Sequence, residues 1–167
     1  MKGKGMESLN DIVRRHVERY GKTNPYLSSF GVEIEFDFDP DMPAIYPDWT
    51  SDDAPIYLSS MLAELTNEHT DLIVDRNIFT KLRYGTLFVD NTQVIIIDHN
   101  GKHIPYETLS VLNGKLDRVA ETGHAPYGRG GNQRAASKIQ PYGGRISVEN
   151  RDGEYKVSTT VVIPIKS

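Results

Sequence analysis

The stretch Gly143-Gly144-Arg145-Ile146-Ser147-Val148-Glu149-Asn150-Arg151-Asp152-Gly153-Glu154-Tyr155-Lys156-Val157-Ser158-Thr159-Thr160-Val161-Val162-Ile163-Pro164-Ile165 decides how the rest of the chain is read. Gly143-Gly144 breaks the preceding segment. Ile146 and Val148 then alternate with Arg145, Ser147 and Glu149, which predicts a strand over 145–149 with one face buried. Asp152-Gly153 is a turn signal, because glycine enters the left-handed region at no steric cost. Tyr155, Val157, Thr159, Val161 and Ile163 resume the alternation in a final strand. The chain therefore closes on a β-hairpin.

Working back from that hairpin, residues 78–98 suggest two or three strands, with Gly85 and Asp90-Asn91 as turns. Val94-Ile95-Ile96-Ile97 is an unbroken apolar run, as expected of a central strand covered on both faces. A short helix is predicted over 106–116, a mobile loop over 117–131 and a second short helix over 132–139. Val32, Ile34, Phe36 and Phe38 alternate with Glu33, Glu35, Asp37 and Asp39, giving a strand with one acidic face. Asp52, Asp53 and Pro55 signal the start of a helix, which Leu58, Met61, Leu62, Leu65 and Leu72 carry over 56–72. Leu9, Ile12, Val13, Val17 and Tyr20 recur at helical spacing, and Ser8 with Asp11 caps that first helix over 8–20. The economical architecture is α/β: a two-layer sandwich with a mixed, mostly antiparallel sheet covered on one face by helices.

Composition sets the class. A chain of 167 residues with 38% hydrophobic and 25% charged residues has enough apolar material for one domain over 1–167, with no repeat or linker to divide it. The formal net charge of -4 argues against a dedicated nucleic-acid binder. Without cysteine there is no disulfide, thiolate metal site or cysteine nucleophile. Met1-Lys2-Gly3-Lys4-Gly5 reads as a flexible N-terminus without the apolar core of a signal peptide, and no apolar run approaches membrane-spanning length. The expected location is the cytoplasm, either as a soluble protein or as the soluble part of a larger membrane receptor.

The element order and several local phrases resemble the catalytic ATP-binding domain of bacterial sensor histidine kinases, in the Bergerat superfamily. The likeness runs over nearly the whole chain. It is strongest at Gly143-Gly144-Arg145-Ile146-Ser147-Val148-Glu149-Asn150 and at the closing Val161-Val162-Ile163-Pro164-Ile165. Phe36-Asp37-Phe38-Asp39-Pro40-Asp41-Met42-Pro43 resembles the family's stretch before its asparagine-bearing helix.

The resemblance implies ATP and Mg2+ as ligands and a role for three motifs. In Glu64-Leu65-Thr66-Asn67-Glu68-His69-Thr70-Asp71, Glu64 stands for the acidic residue that orients the acceptor or the metal. Asn67 or Glu68 stands for the metal-holding asparagine, hard oxygen donors being suited to magnesium. Glu68 occupies the asparagine's own position, and Asn67 is one residue early, about 100° around the helix. In Asp98-His99-Asn100-Gly101-Lys102-His103-Ile104-Pro105, Asp98 is taken as the carboxylate that accepts a hydrogen bond from adenine, with Gly101 letting the backbone approach the base. The family spacing is D-x-G-x-G; on this reading one residue is inserted before Gly101, and His103 replaces the second glycine. In Gly128-Arg129-Gly130-Gly131, backbone N–H groups before a helix suit phosphate, with Arg129 or Arg134 as a further partner. Asn132-Gln133-Arg134 there replaces the family's small and apolar residues, and the region 106–131 corresponds to its ATP lid.

Two functions follow. One is an ATP/Mg2+ domain that delivers phosphoryl to a histidine on a separate dimerisation domain or chain, with a response regulator or a second copy of the chain as further partners. The other is a pseudo-ATPase kept as a docking module. The test between them is whether Asp98 and the helix stripe of Glu64, Asn67, Glu68 and Asp71 converge on one pocket, or whether His103 or Tyr127 plugs it. An anti-sigma-type serine kinase is similar in size, but the leading helix argues against it. His16 and His69 fall on apolar stripes and read as structural, and His99 with His103 lacks the further ligands of a zinc site.

Overall fold

The computed structural model describes residues 7–23, 31–44, 58–66, 79–123 and 131–165. Helix α1 is Leu9–Thr23 and strand β1 is Glu33–Asp37. Helix α2 is described over 58–66. Strands β2 (Lys81–Val89) and β3 (Thr92–His99) form a hairpin, followed by helices α3 (Tyr106–Thr122) and α4 (Gly131–Ile139). A 3-10 turn over Gln140–Tyr142 leads into β4 (Arg145–Asn150) and β5 (Val157–Pro164). The sheet order is β1-β2-β3-β5-β4; β1 runs parallel to β2, and the other pairs are antiparallel.

Strand alternation and register assign every sheet residue to one of two faces. Leu82, Tyr84, Ile95, Ile97, Ile146, Val148, Val157, Val161 and Ile163 share the inner face and are buried. Leu9, Ile12, Val13 and Val17 of α1, Leu58, Met61, Leu62 and Leu65 of α2, Leu116 and Val119 of α3, and Ala135 and Ile139 of α4 complete the same core. All the described helices thus lie on one face. Each large aliphatic side chain buried there contributes roughly 1.5–3 kcal/mol. The opposite, outer face carries Glu33, Glu35, Asp37, Lys81, Arg83 and Asp98 at one end of the strands, and Leu87 and Val89, both nearly half exposed, at the other.

Local chemistry explains the element ends. Ser8 and Asp11 form the expected reciprocal cap on α1: the Asp11 N–H donates to Ser8 Oγ at 3.3 Å, and the Ser8 N–H donates to Asp11 Oδ2 at 3.1 Å. Asp90 and Asn91 both adopt positive φ, 50° and 55°, and make the two-residue turn between β2 and β3. Gly85 is not a turn, as its sequence context suggested, but lies within β2. A Cβ there would sit 3.2 Å from the Asp37 carbonyl oxygen, so the missing side chain lets β1 approach. Asp39 latches the far end of β1, accepting from the Phe88 N–H at 2.9 Å, while Asn10 of α1 donates to its carbonyl at 2.7 Å.

Helix α3 corrects the expectation of a loop after residue 116. It continues to Thr122 because Leu116 and Val119 stay on the buried stripe, and Gly123 ends it in a left-handed conformation at φ 73°. Tyr155 also departs from the expected strand: it precedes β5 and is buried against the outer face.

Candidate functional site

The expected site would gather Asp98, Gly101, Glu64 and the start of α4 on the helix side of the sheet. Glu64 and Gly131 are there. Glu64 Oε2 accepts from Arg134 Nε at 2.6 Å, which ties α2 to α4 near the α4 N-terminus. Arg134 is thereby committed to a carboxylate. Gly131 opens α4, and the next two residues, Asn132 and Gln133, are buried. Among the described residues, Asn132 Oδ1 and Gln133 Oε1 have no hydrogen-bond partner. Gln133 lines a groove of about 480 Å³ between α3 and α4, with Glu107, Thr108, Val111, Leu112 and Lys115.

Asp98 is elsewhere. Its register partners are Arg83 on β2 and Ser158 on β5, which puts its carboxylate on the outer face, away from Glu64 and α4. Asp98 Oδ2 accepts from Arg83 Nη2 at 2.7 Å and Nε at 3.1 Å. The Asp98 side chain is 3% exposed and that of Arg83 33%. The guanidinium lies 4.2 Å from the centroid of the Tyr155 ring, a cation–π contact. The Tyr155 hydroxyl donates to Glu35 Oε2 at 2.7 Å. Burial, together with Glu35, pushes the Tyr155 phenol up to about 12. This network spans β1, β2, β3 and the lead into β5, so it ties strands together. The carboxylate of Asp98, expected to accept from adenine, is thus paired with Arg83 on the outer face rather than gathered with Glu64 and α4.

His99 holds the inner-face position that Asp98 was expected to fill. It is 1% exposed and stacks on Phe79, with ring centroids 5.0 Å apart. Its Nδ1 accepts from the Gly101 N–H at 3.1 Å, so the neutral ring carries its proton on Nε2. Counted from His99, the segment His99-Asn100-Gly101-Lys102-His103 fits the five-residue D-x-G-x-G spacing with no insertion. The histidine then replaces the aspartate and offers a donor where the motif needs an acceptor. Gly101 is buried, and its N–H is used on His99. The described residues therefore do not fit adenine in the manner the motif implies.

Asn67, Glu68, Gly128, Arg129, Gly130, His69 and Tyr127 lie outside the described residues. His16 is buried, its Nε2 3.1 Å from Thr66 Oγ1. Among the described residues no group of three His, Asp or Glu side chains is placed to hold a metal, and no helix is long and apolar enough to cross a membrane. Arg83, Tyr155, Glu35 and His99 are the residues that motif reading missed. A two-residue turn at Asp90-Asn91 already sets Arg83 opposite Asp98, so register was the available signal.

No model of a protein family matches the sequence, and no curated protein matches it. Solved structures do. The catalytic domain of the histidine kinase ThkA, in a nucleotide-free form, superposes with a TM-score of 0.60 at 15% identity, over 95% of this chain and 92% of that one. The mycobacterial sensor histidine kinase MprB gives 0.58 at 14% identity, over 95% of both chains. The histidine kinase ThkA in complex with the response regulator TrrA gives 0.65 at 15% identity, over 96% of this chain and 41% of that one. The fold is thus that of histidine kinase catalytic domains, a two-layer α/β sandwich of the Bergerat type.

Proposed function

We propose that the chain is a histidine-kinase-like docking module of a signalling complex, a pseudo-ATPase rather than a phosphoryl donor. The observation that carries this reading is the separation of Asp98 from Glu64 and α4 by the thickness of the sheet, with Arg83 neutralising its charge. His99 in the inner position adds support, because a buried Nε2–H donor does not replace a carboxylate acceptor. A partner of the response-regulator or histidine-bearing dimerisation class fits the fold, as the ThkA–TrrA complex illustrates for a protein of the same architecture.

A second reading, an ATP/Mg2+ domain that phosphorylates a histidine on another domain or chain, draws on the placement of Gly131 at the start of α4, close to Glu64. In it Glu64 serves orientation, Asn67 or Glu68 holds Mg2+, and Gly128, Arg129, Gly130 and Gly131 bind phosphate. Calorimetry and thermal shift with millimolar Mg-ATP, Mg-ADP and Mg-tripolyphosphate separate the two. The docking reading expects no heat and no stabilisation that depends on the adenosine moiety. Saturable binding of Mg-ATP that Mg-tripolyphosphate does not reproduce would overturn it.

A further inference from the structure

The outer face of the sheet divides across the strands. One half is the charged network under the Tyr155 ring. The other half is apolar: Leu87, Val89, Val94, Ile96, Val162 and Pro164 stand together on β2, β3 and β5. Leu87 and Val89 are 44% and 46% exposed. Single apolar side chains in water are ordinary, but a contiguous group of them marks a contact surface.

The strand order fits this face to a second copy of itself. β3 is the middle strand of five, with β2 and β5 beside it and β1 and β4 at the edges. Two sheets packed face to face about a two-fold axis along β3 set β2 of one copy over β5 of the other, and β1 over β4. Each row of the register stays level. Leu87 then comes over Val162 and Val89 over Pro164, while Val94 and Ile96 meet their own counterparts. The exposed pair on β2 is thereby matched to a half-buried pair on β5.

The edges are complementary in charge. β1 brings Glu33, Glu35 and Asp37 over an edge that carries Arg145 and Arg151. Glu33 is level with Arg151, and Asp37 lies one row from Arg145. Within its own copy, Arg145 pairs with Asp117 at 3.1 Å and Arg151 with Glu149 at 2.7 Å. Exposed pairs of this kind contribute little and do not hold an arginine from another carboxylate. Glu35 comes level with Glu149, but Glu35 accepts from the Tyr155 hydroxyl and Glu149 from Arg151. Asp152 and Glu154 follow β4 beyond the paired rows, and Glu154 is bound to Lys81 at 2.6 Å. Five strands about 4.8 Å apart, with about 3.4 Å per residue along β2, make a face of roughly 650 Å². That is somewhat less than the ~800 Å² per partner of a stable complex.

We propose that the outer sheet face is a self-association surface, on which two copies of this chain pack sheet to sheet about a two-fold axis along β3. The pair is reversible, with apolar contact around Leu87, Val94 and Val162 and acid–arginine contact at the edges. It leaves the helix side of each copy open to other partners, and it does not depend on the docking reading.

Sedimentation equilibrium of the whole chain from about 5 μM to about 1 mM tests this, with a dissociation constant on the order of 100 μM expected. Leu87→Lys/Val89→Lys should remain monomeric throughout. Both positions are nearly half exposed, and an unchanged thermal midpoint at the lowest concentration checks that this variant folds. The edge charges give an independent reading. Asp37→Arg or Arg145→Asp alone should weaken association roughly tenfold, and the two together should restore it. A wild type that stays monomeric at the highest concentration overturns the proposal and leaves the face to a different protein. A dimer that survives the lysine substitutions, or charge reversals that do not rescue each other, overturns it too.

Discussion

At the scale of single residues, two buried groups set measurable properties. His16 is held at about 4, chiefly by burial and then by Arg19, against an ordinary value of 6.5. Its depressed value means the folded chain keeps the ring neutral while the unfolded chain accepts a proton. That contribution to stability is complete above pH 6.5 and is lost as pH falls through 4, by roughly 3 kcal/mol in all. Urea unfolding of the wild type and of His16→Gln between pH 7 and 4 should show a steeper loss in the wild type. Equal slopes would place the titration elsewhere. Asp98→Asn removes the charge but keeps the shape beside Arg83. It should lower unfolding free energy by about 1–3 kcal/mol, less than a fully buried pair because Arg83 is a third exposed. An unchanged midpoint would deny the ion pair its structural part. The burial of His16 was legible from its place on the apolar stripe of α1, whereas the role of Asp98 was not. Asp98 looks like a strand-end acid in the sequence, and only its parity relative to Ile95 and Ile97 reveals that it faces outward.

At the scale of elements, the edge strand β4 is closed by a side chain. Asn113 of α3 donates through Nδ2 to the Val148 carbonyl at 2.7 Å and accepts from the Val148 N–H at 3.0 Å, pairing as a neighbouring strand would. Asn113→Ala should cost about 1–3 kcal/mol by leaving both groups unpaired. It should also raise concentration-dependent light scattering. Asp117→Ala, on the exposed surface of the same helix, is the control and should stay within about 0.5 kcal/mol. Scattering that does not separate the two variants would show that the edge is protected by other means. Elements with strict alternation were readable: β4, β5 and β1 fall within two residues of the expected bounds. The apolar run 94–97 was readable as a central strand, but an unbroken run hides which residues face which way. α3 runs past the expected end at 116 because Leu109, Leu112, Leu116 and Val119 form one stripe that tertiary packing sustains.

At the scale of the whole molecule, local phrases identified the architecture because a hairpin, a capped helix and an acidic strand each carry their own pattern. The site was less legible because it depends on which sheet face each strand end presents, and that is set by pairing between distant segments. His99 and Asp98 are adjacent in the sequence and lie on opposite sides of the sheet. The fold of histidine kinase catalytic domains is therefore kept here while one step along β3 decides whether a carboxylate or an imidazole faces the helices. The asparagine that closes the β4 edge has a further consequence in time. Asn113 precedes Gly114, the context in which an asparagine side chain most readily cyclises and loses its amide nitrogen. While α3 is intact, the helical backbone restrains that attack. A chain that spends time unfolded ages at this position. On refolding, the aspartate or isoaspartate formed would set a carboxylate against the Val148 carbonyl, where a donor is needed.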